Sequence, residues 1–440
     1  MSLSFGTDGV RGLANLDLTP ELAMALGRAA ARVLGPETFM IGRDTRRSGP
    51  LLEAALAAGL ASEGSEVELL GVVPTPAVAH AAAQADRPGA VISASHNPFA
   101  DNGIKLFAKG GRKLPNEVEA AIEREVIGLH DAGRPTGADV GRIGASVAGP
   151  QGWLDTVSGS IHGRRLDGLR IVVDTANGAL SRFAGPVLEG LGATVTVLAD
   201  QPDGLNINDG VGSNHPERLA AEVLGQGADL GIAFDGDADR MVAVAGDGVV
   251  VDGDHIIALC ALDLRRRGRL ANDTVVVTVM TNLGFRLAMA DTGIDVVTTG
   301  VGDRHVLEAL DAGGFSLGGE QSGHIIFRDL ATTGDGLLSA VQLLDLVVRS
   351  GEPLGDLAAA AMTRLPQVLV NVAVSERVPD VADQLASQIA EVEAELGSNG
   401  RVLIRPSGTE PLIRVMVEAT DQATAEAVTA RLAAEVEARF

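Results

Sequence analysis

Short apolar runs of strand length alternate with helical patterns along most of the chain. The apolar runs fall at residues 38–42, 67–70, 90–94, 169–174, 193–198, 229–234, 275–279 and 295–299. Helical patterns cover residues 48–62, 179–191, 254–264 and 335–348. Alternation of this kind predicts mostly parallel sheets with helices on both faces.

The carboxyl-terminal segment has a different pattern. Strand patterns at residues 367–374, 401–404 and 412–417 accompany helical patterns at 381–396 and 423–440. The last two strands are joined by a short loop, which implies antiparallel pairing. We therefore expect a small α+β domain at this end.

The length of the chain, 440 residues, exceeds what one hydrophobic core usually supports. A Gly-rich and weakly patterned stretch at residues 136–150 is a predicted linker, and Leu365-Pro366 is a predicted junction. The three strand–helix units share one layout, which indicates a weak internal repeat. The predicted domains are residues 1–150, 151–252, 253–365 and 366–440.

Charge and cysteine content exclude several classes of protein. The net charge of −23 argues against a nucleic-acid or anionic-membrane partner. The single cysteine, Cys260, excludes an internal disulfide and fits a reducing compartment. No signal-peptide pattern and no run of 18 apolar residues occurs, so we expect a cytoplasmic protein without a membrane span.

A polar turn follows the apolar residues 90–92. Residues 93–97 are Ser-Ala-Ser-His-Asn, and Pro98 disfavours a helical conformation for the residue before it. A hydroxyl on a tight turn at the end of a buried strand is where α/β proteins place nucleophiles and ligand contacts. Adjacent side chains of an extended segment point apart, so His96 is not automatically the base for Ser95. An ordinary polar loop is the alternative.

Three aspartates, Asp235, Asp237 and Asp239, alternate directly after an apolar strand pattern. Anions this close repel one another unless a cation joins them, and carboxylate oxygens suit Mg²⁺ or Ca²⁺. An EF-hand loop does not fit, because Arg240 stands where that loop needs glycine and Gly246 where it needs glutamate. The pattern predicts a small Mg²⁺ site with an open coordination position, with a solvated acidic turn as the alternative.

A candidate anion-binding loop joins the last two strand patterns. Residues 405–411 read Arg-Pro-Ser-Gly-Thr-Glu-Pro, which combines a guanidinium, two hydroxyls and a glycine that permits close backbone approach. In a chain of net charge −23, two arginines here favour anion binding over a plain hairpin. The candidate contacts are Arg405, Ser407, Gly408, Thr409 and Arg414.

A Gly-rich segment at residues 318–324 carries three polar side chains at alternate positions. If the segment is extended, Glu320, Ser322 and His324 share one face and offer donors and acceptors suited to sugar hydroxyls. A β-turn is the alternative.

Four of these motifs together resemble the α-D-phosphohexomutase superfamily. They are residues 93–98, 235–240, 319–324 and 405–411, which occur in the family's order and one in each predicted domain. The resemblance spans nearly the whole chain. It implies three similar α/β domains with mixed, mostly parallel sheets and a carboxyl-terminal α+β domain, arranged around a central cleft.

Within that superfamily the chain is similar to the branch that acts on phosphorylated amino sugars. The opening segment 5–12, segment 208–213 and Gln321 are typical of that branch, whereas His305 departs from it, since tyrosine is more usual there. The resemblance implies interconversion of glucosamine 6-phosphate and glucosamine 1-phosphate. The reaction would pass through a phosphoserine and a glucosamine 1,6-bisphosphate, and would supply UDP-N-acetylglucosamine and cell-wall precursor synthesis.

The resemblance also implies roles for individual residues. Mg²⁺ would be held by a phosphoryl oxygen on Ser95 and by Asp235, Asp237 and Asp239. Proton transfer near the phosphoserine would involve Arg11, Lys105 and His96. Sugar hydroxyls would contact Glu320 and Ser322, with assistance from His324. The phosphate that is not reacting would contact Arg405, Ser407, Gly408, Thr409 and Arg414.

The two phosphates of the intermediate exchange places, so we expect the carboxyl-terminal domain to move, with Leu365-Pro366 near the hinge. The nearest alternative function is a phosphomannomutase or phosphoglucomutase of the same fold. A metal-dependent phosphatase and a non-catalytic sugar-phosphate sensor are the others. The expected partner is a phosphorylated amino sugar, with no nucleic acid and no membrane, and a homodimer is one candidate assembly.

Overall fold

A mixed seven-stranded sheet forms the amino-terminal part of the chain, as the alternating pattern predicts. The computed structural model describes residues 5–6, 9–129, 133–147, 149–407 and 411–440. The sheet order is β1-β5-β4-β2-β3-β7, with β6 paired to β5; β4, β2, β3 and β7 run parallel, and β1 and β5 are antiparallel to their neighbours. The strands are β1 Val10–Leu13, β2 Thr38–Arg43, β3 Glu66–Val72, β4 Gly89–Ile92, β5 Asp101–Ala108, β6 Arg112–Lys113 and β7 Ile143–Ala145. The helices are α1 Pro20–Leu34, α2 Gly49–Ser62, α3 Thr75–Ala85 and α4 Asn116–Gly128.

The second sheet has five strands in the order β12-β11-β10-β8-β9. Its central pairs β10–β8 and β8–β9 are parallel, and β11 and β12 form an antiparallel hairpin. The strands are β8 Arg170–Asp174, β9 Thr194–Leu198, β10 Leu230–Phe234, β11 Met241–Ala245 and β12 Val250–Val251. The helices are α5 Gln151–Gly159, α6 Ala184–Gly190 and α7 Glu217–Gln226.

The third and fourth sheets complete the fold. The third has the order β14-β13-β15-β16. The fourth has the order β17-β19-β18 and is antiparallel throughout, as predicted for its last two strands. The strands are β13 Thr274–Thr278, β14 Asp295–Thr299, β15 Leu317–Gly319, β16 Ile325–Phe327, β17 Gln367–Ala373, β18 Arg401–Pro406 and β19 Leu412–Glu418. The helices are α8 Gly253–Arg266, α9 Leu283–Asp291, α10 Asp303–Gly313, α11 Gly336–Ser350, α12 Leu354–Ala361, α13 Val381–Gln384, α14 Ala386–Leu396 and α15 Gln422–Arg439.

The chain divides into two compact units. The large unit runs through Val279 and includes Val297–Ala358, so it holds the first two sheets and most of the third. The small unit comprises Met280–Val296 and Ala359–Phe440. Within the small unit, the Asn282 side chain bonds to both the carbonyl and the N–H of Leu365, at 3.0 Å each. Among the described residues, no helix is long and apolar enough to cross a lipid bilayer.

Three predicted boundaries differ from the structure. The predicted linker at residues 136–150 contains β7, an edge strand that pairs with β3. All three β7 residues are exposed, so the strand lacks the apolar pattern that would reveal it. The helix predicted from residue 179 begins only at Ala184, because the Ala179 N–H donates to the Gly236 carbonyl in a preceding turn. The single helix predicted at 381–396 is two helices, α13 and α14.

A buried carboxyl at the start of α11 yields a prediction. Asp335 caps the helix through the Leu338 N–H and accepts a 2.7 Å hydrogen bond from Nε1 of Trp153, the only tryptophan. Burial raises the pKa of Asp335 to about 6. Its ionisation therefore opposes folding. The protonated carboxyl stabilises the fold below about pH 4, and this stabilisation is lost as the pH rises through about 6. We expect tryptophan fluorescence to change with a midpoint near pH 6.

The Asp335→Asn variant should show no such transition and a flatter dependence of Tm on pH. His80 lines the same cavity as Trp153, so His80→Gln is the control and should retain the transition. A fluorescence midpoint that survives Asp335→Asn but disappears in His80→Gln would contradict the assignment.

Candidate active site

Ser95 lies on the turn that follows β4, and its side chain meets the loop that follows β10. Its backbone φ is 52°, in the left-handed region that serine rarely adopts. The residue is 1% exposed, and its Oγ donates to Oδ2 of Asp235 at 2.6 Å. The predicted nucleophile and the predicted metal loop, 140 positions apart in the chain, are therefore in direct contact.

The two loops approach backbone to backbone. A Cβ on Gly236 would lie 2.7 Å from the Ser95 carbonyl oxygen, closer than real Cβ atoms come. A Cβ on Gly178 would in turn lie 2.4 Å from the Gly236 oxygen. Glycine at position 236 thus allows the aspartate loop to reach the serine turn.

The three predicted aspartates form a buried cluster. Ligand atoms of Asp235, Asp237 and Asp239 lie within 4.8 Å of one another, and each residue is almost fully buried. The Thr75 hydroxyl donates to Oδ2 of Asp237 at 2.6 Å. Oδ1 of Asp237 and Oδ1 of Asp239 are buried without a hydrogen-bond partner among the described residues. Buried acceptors of this kind are costly unless a donor or a cation reaches them.

The pKa values of the three aspartates are shifted in different directions. Burial and repulsion by the neighbouring aspartates raise the pKa of Asp235 well above its usual value, and the same causes raise the pKa of Asp237. Burial alone would raise the pKa of Asp239 as well. Lys105 and His324 outweigh that effect and hold the pKa of Asp239 well below its usual value.

A divalent cation fits this cluster. Three carboxylates supply the oxygen ligands that Mg²⁺ and Ca²⁺ prefer, and two of their oxygens lack partners among the described residues. A cation would also remove the repulsion that raises the pKa of Asp235 and Asp237. The predicted acidic triad is therefore a site that can hold a metal ion.

Basic side chains surround the cluster. Lys105 is 6% exposed, and its Nζ lies 3.4 Å from Oδ2 of Asp239. The charges of Lys105 and Arg11 partly offset the rise in the pKa of Asp237. Nδ1 of His96 lies 3.3 Å from the Ser95 Oγ, so the turn does bring these adjacent side chains together. The three groups predicted around the serine, Arg11, Lys105 and His96, are thus close to it or to the triad.

Two further residues of this site were not identified from the sequence. Nη1 of Arg240 lies 3.1 Å from Nδ1 of His96, and its Nε lies 3.8 Å from Asp239. Its position directly after the third aspartate was the available signal. Thr75, which holds Asp237, has no comparable signal because it starts α3 more than 150 positions earlier.

The candidate sugar segment, residues 318–324, forms a tight turn between β15 and β16. The β-turn alternative is therefore confirmed, and the segment is not extended. The Gly323 N–H donates to the Glu320 carbonyl, and Ser322 is exposed while His324 is buried. Oε1 of Glu320 accepts from the Gly302 N–H at 3.0 Å. Ser322 therefore does not share the buried face of His324, whereas Glu320 is close enough for its charge to raise the pKa of His324.

His324 nevertheless reaches the metal cluster. Its Nδ1 lies 3.7 Å from Asp239 and its Nε2 lies 3.8 Å from Asp303. Burial would lower the pKa of His324, but the two carboxylates outweigh burial and raise it. His305, the departure from the family pattern, has a side chain that is 49% exposed.

The arginine loop belongs to the small unit. Arg405 on β18 and Arg414 on β19 occupy paired positions, and Nε of each is buried without a hydrogen-bond partner among the described residues. Burial lowers the pKa of Arg405, and the neighbouring charge of Arg414 lowers it further. Two adjacent guanidinium groups, each with an unfilled Nε donor, are an arrangement that can accept an anion. Ser407 is buried beside them, whereas Gly408 and Thr409 lie outside the described residues.

Family models match the chain in four consecutive segments. Each describes one domain of phosphoglucomutase/phosphomannomutase. The α/β/α domains I, II and III match residues 2–130, 152–248 and 252–365, and the C-terminal domain matches residues 369–435.

Relatives named phosphoglucosamine mutase match over the full length. The protein of Frankia alni is 55% identical and covers 100% of this chain and 99% of its own. The protein of Thermobifida fusca is 54% identical, with 98% of each chain covered.

Solved structures agree in fold. A phosphoglucomutase/phosphomannomutase family protein from Burkholderia thailandensis superposes with a TM-score of 0.81 at 25% identity, covering 98% of this chain and 97% of its own. Aspergillus fumigatus N-acetylphosphoglucosamine mutase, solved in complex with GlcNAc-6P and magnesium, has a TM-score of 0.74 at 19% identity and covers 100% of this chain and 96% of its own.

Proposed function

The chain belongs to the phosphoglucosamine mutases of the phosphoglucomutase/phosphomannomutase family, and we propose that Ser95 carries the phosphoryl group in its interconversion of glucosamine 6-phosphate and glucosamine 1-phosphate. The observation that carries this assignment is the 2.6 Å hydrogen bond from the Ser95 hydroxyl to Asp235, inside a buried cluster that can hold a cation. No other hydroxyl among the described residues is paired with Asp235.

The reaction consists of two phosphoryl transfers. In the first, the bond between phosphorus and Ser95 Oγ breaks and a bond forms to the free hydroxyl of the sugar phosphate, which gives glucosamine 1,6-bisphosphate. We assign the proton transfer to His96, whose Nδ1 lies 3.3 Å from the Ser95 Oγ: it accepts the proton of the attacking sugar hydroxyl and supplies a proton to the Ser95 oxygen that leaves. After the bisphosphate turns around, its other phosphate returns to Ser95.

Charge neutralisation is the main demand of this chemistry. Mg²⁺ held by Asp235, Asp237, Asp239 and a phosphoryl oxygen on Ser95 would supply it when bound. Arg11, Lys105 and Arg240 are the cationic side chains that the fold adds around the same cluster. They balance the negative charge of the phosphoryl group as it leaves and returns to the serine.

The sugar and its second phosphate use the remaining predicted residues. We assign the sugar hydroxyls to Glu320 and Ser322, with assistance from His324. We assign the phosphate that is not reacting to Arg405, Ser407, Gly408, Thr409 and Arg414, on the basis of the unfilled guanidinium donors. The domain roles follow the boundaries predicted above: phosphoserine in residues 1–150, metal in 151–252, sugar in 253–365 and phosphate in 366–440.

Substrate comparison tests the function. Turnover of glucosamine 6-phosphate should exceed that of glucose 6-phosphate and mannose 6-phosphate by kcat/KM, and mass spectrometry should find a phosphate on Ser95. Equal or greater turnover of mannose 6-phosphate would instead support the phosphomannomutase alternative. Release of free phosphate without a 1-phosphate product would support the phosphatase.

The role of Lys105 gives a further prediction. Lys105→Met removes the cation closest to Asp239 and should lower kcat by about 10²–10³-fold, as loss of one transition-state charge contact does. Lys109→Met is the matched control, because Lys109 lies just past the same strand and pairs with Glu37 at the surface. Steady-state kinetics of both variants check this. Equal kcat values for the two would remove Lys105 from the mechanism.

A further inference from the structure

Arg46 lies fully buried beneath the turn that carries Ser95, and its guanidinium binds the backbone of that turn. Nη2 donates to the carbonyl oxygens of Ser95 at 2.9 Å and Asn97 at 2.8 Å. Nη1 donates to the carbonyl of Asp101 at 3.0 Å and also to that of Pro98. One side chain therefore holds four carbonyl groups of a seven-residue turn.

The guanidinium of Arg46 is itself held in place by Asp44, which also binds Ser93. Nε of Arg46 donates to Oδ2 of Asp44 at 2.8 Å, and the pair is completely buried. The Ser93 hydroxyl donates to the same oxygen at 2.6 Å and accepts from the Ser95 N–H at 2.9 Å. Both the N–H and the carbonyl of Ser95 are thus bonded to this network.

A second side chain reaches the same carbonyls from the other loop system. Nδ2 of Asn208 donates to the carbonyl oxygens of Ser95 at 2.9 Å and Asn97 at 3.1 Å. Asn208 lies on the loop between β9 and α7, and β10 of the same sheet leads directly into Asp235. The carbonyl oxygens of Ser95 and Asn97 therefore each accept two hydrogen bonds, one from Arg46 and one from Asn208.

We propose that Arg46 and Asn208 are positioning residues for phosphoryl transfer. Together they form a carbonyl clamp, defined as their side chains and the carbonyls of Ser95 and Asn97. The clamp holds Ser95 at its left-handed φ of 52°, which points Oγ at Asp235. A non-glycine residue persists in that conformation only when its surroundings determine it. Because Ser95 carries the phosphoryl group only under the proposed function, the clamp's role rests on that proposal.

The two clamp residues have different tasks. Arg46 shapes the turn from within the first sheet, and Asn208 fixes the shaped turn against the segment that carries the aspartates. Misplacement of a reacting group by about 1 Å can cost on the order of 100-fold in rate. A purely structural role would lower Tm without changing kcat of the folded enzyme, so kinetics separate the two interpretations.

The decisive variants are at Asn208, whose side chain lies on a loop. Asn208→Ala should lower kcat about 10-fold and Asn208→Asp about 100-fold, because a carboxylate would face two carbonyl oxygens. KM for glucosamine 6-phosphate should stay within about twofold, since the clamp does not contact the sugar. The rate at which glucosamine 1,6-bisphosphate phosphorylates Ser95, followed by intact mass, should fall in parallel with kcat.

Asn177→Asp is the matched control. Its amide donates to the Asn206 carbonyl at 3.2 Å, outside the clamp, so this variant loses an equivalent hydrogen bond and should keep wild-type kcat. Wild-type kcat and phosphorylation rate in Asn208→Asp would overturn the clamp. A fall in Tm with unchanged kcat would overturn it as well.

A conservative change tests the arginine. Arg46→Lys keeps the charge, but a single ammonium cannot span four carbonyls, so kcat should fall about 100-fold. Arg28→Lys is its control, since Arg28 is a buried arginine of the same region that pairs with Glu63. If Arg46→Lys does not fold, the Asn208 variants decide. Wild-type enzyme with mutase activity but no phosphate on Ser95 would refute the phosphoserine proposal and, with it, the clamp.

Discussion

Enzyme with alanine in place of Ser95 is expected to lose at least about 10⁴-fold in kcat while remaining folded. The phosphoryl carrier is the one group that neither water nor a neighbouring side chain can replace in a cycle that returns the phosphate to the protein. The turn itself should tolerate alanine, because Ala176 and Ala238 already occupy left-handed positions in this chain at φ values of 55° and 58°. The Arg46 contacts to the turn are made to backbone carbonyls and do not involve the hydroxyl.

Three measurements check the Ser95→Ala prediction. A coupled assay should show loss of glucosamine 1-phosphate formation, intact mass should lack the phosphoryl increment, and the thermal unfolding midpoint should stay within a few degrees of wild type. Ser65→Ala is the control: Ser65 is a fully buried serine whose hydroxyl has no hydrogen-bond partner among the described residues. Mutase activity retained without Ser95 would place the phosphoryl carrier elsewhere.

The local parts of the site could be predicted from sequence because each depends on neighbours in the chain. The aspartates at 235, 237 and 239 indicate a cation site from the sequence alone, since three carboxylates within five residues repel one another without a cation. The strand that precedes them is apolar at every position and is buried at every position. The antiparallel pairing of β18 with β19 follows from the short loop between their strand patterns. The pairing of β17 with β19 has no such local signal.

Other parts of the site could not be predicted, because their meaning depends on distant partners. Arg46 stands in the polar sequence Arg-Asp-Thr-Arg-Arg, which is typical of solvated surface, yet it is 0% exposed because the serine turn supplies its acceptors. Thr75 and Asn208 contact residues more than 110 positions away. The strand β7 was predicted as part of a linker for a different reason: an exposed edge strand carries no apolar periodicity.

The second large effect is expected at the metal cluster, from Asp237→Asn. Asparagine can keep the Thr75 hydrogen bond through its single oxygen, but it removes one of three ligand charges. The Mg²⁺ concentration for half-maximal activity should rise at least about 100-fold, since loss of an outer partner of a ligand alone costs about 10–100-fold in affinity. Titration of activity with Mg²⁺ after chelator treatment measures it.

The same substitution should have the opposite effect on the metal-free protein. Burial and repulsion by Asp239 raise the pKa of Asp237, so its charge opposes folding at neutral pH when no cation is bound. Without Mg²⁺, Asp237→Asn should therefore unfold at a higher temperature than wild type. With saturating Mg²⁺ the order should reverse, because wild type gains binding energy that the variant lacks.

Asp345→Asn supplies the contrast that makes this reversal diagnostic. Asp345 is as buried as the cluster, but Arg164 and Arg349 neutralise it, outweigh the effect of burial and lower its pKa. Its replacement removes the charge partner of Arg164 and one of the two charge partners of Arg349, and should lower Tm equally with and without Mg²⁺. If Asp237→Asn behaved in the same way, losing stability in both conditions and keeping the wild-type Mg²⁺ titration, Asp237 would be a structural carboxylate like Asp345 and the triad would lose its place in the mechanism.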